Sequence, residues 1–254
     1  MSLSPIPKVL STMRAHGVEC LLMGGQACVL YGAAEFSRDA DFAVLASSEN
    51  LERVRGAMDE LHAEVIAVPP FDIGHLVRGH AIRIRSRHPE ADGLRVDVMA
   101  RLRGVDPFPQ LWARRTTWAL PEGFEIDTLG LPDLVASKKT QRDKDWPMIR
   151  RLVEVSYDES FSSPTPEQIR FWMLELRTPD LLMEAVGSFP TEAHASGDER
   201  EAVRAALSHD LAGVEKALTA EELRERTLDR EYWTPLKKEL ERLRHERGRG
   251  AGSN

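Results

Sequence analysis

Cysteine is scarce: Cys20 and Cys28 are the only two in 254 residues. Without a CxxC pair or a Cys/His cluster beside them, a disulfide framework and a structural zinc site are both unexpected. Long apolar runs are missing as well, and nothing approaches the ~20 consecutive apolar residues of a membrane span. The opening MSLSPIPKVL lacks the basic flank and apolar stretch of a secretory signal. We therefore expect a cytoplasmic protein with no membrane partner. Net positive charge is absent too, since 34 Lys and Arg face 41 Asp and Glu for a formal charge of −7. That balance argues against indiscriminate DNA binding. Aromatics are only 6% of the chain. Trp112, Trp118, Trp146, Trp172 and Trp233 are too scattered for a base-stacking platform, so packing is their expected role.

What the chain does have is an ordinary core and an uneven charge distribution. Hydrophobic residues make up 42% and charged residues 30%, which excludes wholesale disorder. Residues 78–115 carry nine Arg against four acids, a local +5, whereas 152–220 carry five basic and thirteen acidic residues, a local −8. A basic patch on one part of the chain suits a phosphate-bearing ligand.

The N-terminal half alternates helix and strand signals. Pro5–His16 reads as a helix stopped by Gly17, Val18–Met23 as a buried strand, and Gly24-Gly25 as the start of a helix ending at Gly32. Ala40–Leu45 is the next strand, and Ser47 or Ser48 caps a helix with Leu51, Val54, Met58 and Leu61 on one face. Strands are expected at 64–68, 81–86, 94–99 and 116–120. From Pro132 onward the signals are helical, with Asp145 in a capping position and a last helix near 234–246. Phe161-Ser-Ser-Pro-Thr-Pro166 reads as a linker, with Pro164 and Pro166 as the helix breakers. These features predict domains at 1–160 and 161–247, followed by a disordered tail at 248–254.

Three carboxylates stand out. Asp39 and Asp41 alternate along a strand, so both face one way, and like charges that close repel unless a cation sits between them. A divalent metal, Mg2+ or Mn2+, is the simplest resolution. Asp97 lies in the apolar alternation of Leu94, Val96 and Val98, on the opposite face beside Arg95, and needs a partner there. If the two strands are neighbours, three acids converge. Gly24-Gly25, between a strand and a helix, is where backbone N–H groups are free to meet a phosphate. Arg83, Arg85 and Arg87 give one cationic strand face, fit either to follow an RNA backbone or to block edge pairing. His16, His62, His75, His80 and His88 show no metal-ligand spacing and are expected to be surface or internally satisfied residues.

Gly24-Gly25, the Ser-x-Asp-x-Asp of Ser37–Asp41 and the later Asp97 resemble the nucleotidyltransferases of the DNA polymerase β superfamily, over about residues 18–152. That resemblance implies an α/β (α+β) fold, a mixed sheet flanked by helices, followed here by an all-α C-terminal domain. It also implies transfer of a nucleoside monophosphate from a nucleoside triphosphate to a hydroxyl acceptor. Asp39, Asp41 and Asp97 become catalytic metal ligands for Mg2+ or Mn2+, and Gly24, Gly25 and Ser37 hold the nucleotide. A second block, Lys139-x4-Lys144-Asp145, is similar to a motif of the abortive-infection nucleotidyltransferase toxins, the AbiEii group. It implies that Lys139, Lys144 and Asp145 also bind nucleotide, that the acceptor is RNA, tRNA or protein, and that an antitoxin protein is a partner. Relatives often carry Arg where this chain has Glu35. The competing expectations are a non-catalytic nucleotide- or partner-binding module on the same fold, and an aminoglycoside-type small-molecule nucleotidyltransferase.

Overall fold

The computed structural model describes residues 5–34 and 36–251. The chain forms two compact units: one contains residues up to Leu30, Ala34–Ser137 and those from Glu231 on, and the other contains Tyr31–Ala33 and Lys138–Arg230. Together they are an α/β protein with a mixed seven-stranded sheet and a C-terminal helical region.

In the first unit, the helix α1 (Ile6–Ala15) leads into β1 (Cys20–Met23), α2 (Gly24–Leu30), β2 (Asp39–Val44) and α3 (Ser48–Glu60). β3 (Glu64–Val65), α4 (Ile73–Arg78), β4 (Ile82–Arg85) and β5 (Arg95–Met99) follow, then α5 (Phe108–Ala113), β6 (Thr116–Ala119), β7 (Glu125–Thr128) and α6 (Leu131–Ser137). The sheet order is β3-β4-β5-β2-β1-β7-β6. β2 runs parallel to β5 and antiparallel to β1, and β4 runs antiparallel to β5. Alternation along these strands sends Ala40, Phe42, Ile82, Ile84, Val96 and Val98 into one hydrophobic core. The apolar stripes of α1 and α3, with Val9, Leu51 and Val54, cover that face. The strands at 20–23, 39–44, 82–85, 95–99 and 116–119 match expectation within two residues. α4, α5 and β7 were not foreseen, because each is six residues or fewer and carries no full period of apolar spacing.

A single amide fastens α3 to the strands. Asn50 is wholly buried; its Oδ1 accepts from the Glu19 N–H at 2.7 Å, and its Nδ2 donates to the carbonyls of Glu19 and Leu45 at 3.0 and 2.9 Å. Ser47 caps the same helix by accepting from the Asn50 N–H at 3.1 Å.

The second unit is helical: α7 (Asp145–Ser160), α8 (Pro166–Glu175), α9 (Pro179–Ser188), α10 (Pro190–Gly197), α11 (Glu201–Leu207) and the first part of α12 (Leu211–Ala251). Trp172 is fully buried, stands edge-on to Tyr157 at 5.0 Å and donates its indole N–H to Ser156 at 3.2 Å. Buried Arg200 closes the end of α8, donating to the carbonyls of Met173 and Leu176 at 2.7 and 2.8 Å and to both oxygens of Glu221 at 3.0 Å.

Here the structure departs from the sequence reading. Pro164-Thr165-Pro166 is a tight turn between packed helices of one unit: Thr165 and Gln168 form a capping box, and Pro166 occupies the first turn. The units divide at Ser137 and Lys138 instead, and the chain returns to the first unit from Glu231. The last helix, expected near 234–246, runs from Leu211 to Ala251, 41 residues that contain Pro235 and extend into the segment read as a tail. Side-chain pairs one turn apart, such as Glu222 with Arg226 at 2.8 Å, support its continuity. Residues 252–254 lie outside the described residues.

Replacing Asn50 with Ala leaves the Glu19 N–H and the Leu45 carbonyl without this partner, while the Glu19 carbonyl keeps the Leu45 N–H; at ~1–3 kcal/mol for each buried unsatisfied group the loss is about 3 kcal/mol of unfolding free energy. Exposed Glu49→Ala changes it by less than about 0.5 kcal/mol. Urea denaturation of both variants checks the contrast.

Candidate functional site

The parallel pairing of β2 with β5 sets the site. Its register places Asp39 opposite Arg95 and Asp41 opposite Asp97. On the other side of β5, Arg83 stands opposite Asp97 and Arg85 opposite Arg95, while β1 places Met23 opposite Asp41. Directly paired residues share a face, so Asp39, Asp41 and Asp97 gather on the face turned away from the core, flanked by Arg83, Arg85 and Arg95. The three acids that the sequence singled out are brought together.

Their charges are only partly met. Arg95 Nη2 pairs closely with Asp39 Oδ2, and Arg83 Nε lies 3.8 Å from Asp97 Oδ2. Asp97 Oδ1 is buried and accepts no hydrogen bond. Burial pushes the Asp97 carboxyl up, the charges of Arg83 and Arg95 pull it down, and Asp39 adds to the rise. A carboxyl raised in the folded state lowers stability once the pH exceeds its ordinary value, and the penalty vanishes at acid pH where both states are protonated.

The glycine pair packs directly against this group. Gly24 has φ +68°, and a Cβ there would overlap the carboxylate of Asp41; a Cβ on Gly25 would overlap Ser37 Oγ. Ser37 Oγ donates to the Asp39 carbonyl at 3.2 Å, and Gln26 Nε2 donates to the Ser37 carbonyl at 2.9 Å. Glycine is thus demanded by the protein's own side chains before any ligand is considered. Glu35 lies outside the described residues.

The second block has a local role within the helical unit. Lys139 Nζ pairs with Glu175 at 2.7 Å. Asp145 is buried and accepts from Thr140 Oγ1 at 2.5 Å and Arg142 Nε at 2.7 Å, with Lys138 Nζ 3.9 Å away. It therefore locks the turn that begins α7, and the capping position belongs to exposed Lys144, which makes no side-chain cap. Arg87, the last of the alternating arginines, pairs with Glu64 at 2.6 Å. The sequence missed Arg83 as a neighbour of Asp97, since only the β4–β5 register reveals it.

No protein-family model and no curated protein matches the chain. Among the described residues, no helix is long and apolar enough to cross a membrane.

Two outcomes follow from this geometry. Asp97→Asn melts higher than wild type at pH 7, and the difference closes as the pH falls below the ordinary carboxylate range; thermal melts across pH 3–8 read it. Gly93 has φ +78° with nothing near its Cβ position, so Gly93→Ala costs only the ~1–2 kcal/mol of left-handed backbone. Gly24→Ala costs measurably more in the same denaturation experiment, because Asp41 must also move.

Proposed function

We propose that this chain is a metal-dependent nucleotidyltransferase on a polymerase β-like fold, moving a nucleoside monophosphate from a nucleoside triphosphate to a hydroxyl acceptor. The observation that carries the reading is the β2–β5 register, which sets Asp41 beside Asp97 with Asp39 on the same face. The order along the chain supports it as well: a glycine turn after β1, two acids opening β2, and the third on the adjacent parallel strand.

A divalent cation fits the donors present. All three are carboxylates, the donor class of Mg2+ and Mn2+, and a buried oxygen of Asp97 lacks a hydrogen-bond partner. Asp39, Asp41 and Asp97 would hold such ions, with exposed Arg95 withdrawing from Asp39. When bound, the ions supply positive charge against the triphosphate and the developing charge of the displacement.

The remaining chemistry belongs to the chain. The acceptor oxygen attacks the α-phosphorus, the bond to the bridging oxygen of the β-phosphate breaks, and pyrophosphate leaves with that electron pair. Asp97 takes the hydroxyl proton, a task suited to a carboxylate whose proton affinity burial has raised. Arg83 and Arg85, beside the acids on β4, favour a polyanionic acceptor such as RNA over a cationic drug. A non-catalytic binding module is the second reading, favoured by the Arg95–Asp39 pair, which neutralises one acid without any ion.

The test uses α-labelled triphosphates with Mg2+ or Mn2+, and total tRNA, protein extract or an aminoglycoside as acceptor. Label enters the RNA with wild type, and Asp41→Asn lowers the rate at least ~100-fold, in line with loss of a group that stabilises transition-state charge. Absence of transfer together with metal-dependent triphosphate binding identifies the binding module. Absence of both overturns the proposal.

A further inference from the structure

Away from the carboxylates, the first unit holds a second cluster of metal-ligating side chains. α4 ends at Gly79, whose left-handed φ of +101° turns the chain so that His80 comes back beside His75, ring centroids 5.7 Å apart. Glu239 reaches the same spot from α12. A Cβ on Gly79 would lie 2.5 Å from the Tyr232 hydroxyl, and Leu236, one turn before Glu239, is buried, so the helix lies close against this corner. His75, His80 and Glu239 each offer one ligand atom, all within 4.8 Å of one another.

The spacing suits a small cation. Glu239 Oε2 is 2.9 Å from His80 Nε2, and Oε1 is 3.9 Å from His75 Nδ1. An ion with ligands at ~2.0–2.1 Å in a tetrahedron needs ligand pairs roughly 3.3 Å apart, so three ligand atoms within 4.8 Å of one another reach it by small side-chain adjustments. A cationic nitrogen already occupies the focus: Arg78 Nη2 donates to His75 Nδ1 at 2.7 Å and to Glu239 Oε1 at 2.9 Å. Because a guanidinium only donates, His75 Nδ1 is a lone pair pointing at that position. Arg78 is half exposed and free to swing into solvent, whereas His80 is completely buried.

We propose that His75, His80 and Glu239 form an exchangeable Zn2+ site whose position Arg78 fills in the metal-free chain. Two imidazoles and one carboxylate are a donor set for zinc or related transition ions, not for magnesium. His75 Nδ1 accepts from Arg78 and both carboxylate oxygens of Glu239 accept hydrogen bonds, so each presents a lone pair to a cation. On binding, Arg78 leaves, and the proton that His80 Nε2 donates to Glu239 moves to Nδ1, the buried ring nitrogen that has no partner at present. Three protein ligands leave the fourth position to water, on the open side bordered by Lys238 and Arg242.

The experiment is equilibrium dialysis of chelator-treated full-length protein against Zn2+, in an Asp41→Asn background so that the β2–β5 carboxylates contribute less. Co2+ absorption serves as a spectroscopic readout of nitrogen coordination. One Zn2+ per chain is expected; Arg78→Met tightens it, and Glu239→Gln or His75→Ala weakens it at least ~10-fold and removes the Co2+ bands. Circular dichroism confirms that each variant is folded, and Glu239→Gln keeps a partner for His80 if His75→Ala does not fold. No zinc uptake, or uptake indifferent to Arg78→Met and Glu239→Gln alike, overturns the proposal.

Discussion

Three carboxylates on one face of two adjacent strands impose the main electrostatic constraint on this molecule. They repel one another, and the backbone register forbids them from separating. Two kinds of relief are available. Arg95 and Arg83 supply built-in counter-charge, closely to Asp39 and at longer range to Asp97, and in the proposed function a divalent cation would add to it. The arginines are long and partly exposed, so they can yield their place, while the acids sit on strands and cannot. The result is a surface neutral enough to fold and still short of positive charge at Asp97.

The same pattern recurs at the α4–β4 corner. There too an exposed arginine stands among ligand atoms held by fixed backbone, and there too a buried atom, His80 Nδ1, lacks a partner. In both places a long cationic side chain lies over donor atoms held by fixed backbone.

Much of the carboxylate site was legible from the sequence because strand alternation is a local property. Asp39 and Asp41 declare their shared face by spacing alone, and Asp97 declares itself by interrupting an apolar run. Adjacency of the two strands needed the structure, and so did Arg83, since register between distant strands leaves no local trace. The glycine pair was read correctly as a turn, yet the reason for glycine at Gly24 is the Asp41 carboxylate pressed against it. The misjudged boundary at Pro164-Thr165-Pro166 has a similar origin: proline breaks helices in linkers and starts them in capping boxes, and only packing of Tyr157 on Trp172 distinguishes the two. His75 and His80 read as surface or internally satisfied histidines because Glu239, which pairs with His80, lies 159 residues further along the chain.

The β2–β5 pairing also bears on how this protein can change over evolutionary time. Along both strands, the clustered acids and core residues alternate one for one, so a deletion or insertion within either strand would send Asp97 or Asp41 inward and Val96 or Phe42 outward together. Length changes there destroy fold and site at once. Point substitutions do not: each acid can be exchanged singly while Ala40, Phe42, Val96 and Val98 continue to hold the sheet. If the acids carry the proposed transfer, a descendant without that chemistry would keep the architecture and lose the acids one at a time, and those three positions would record the loss.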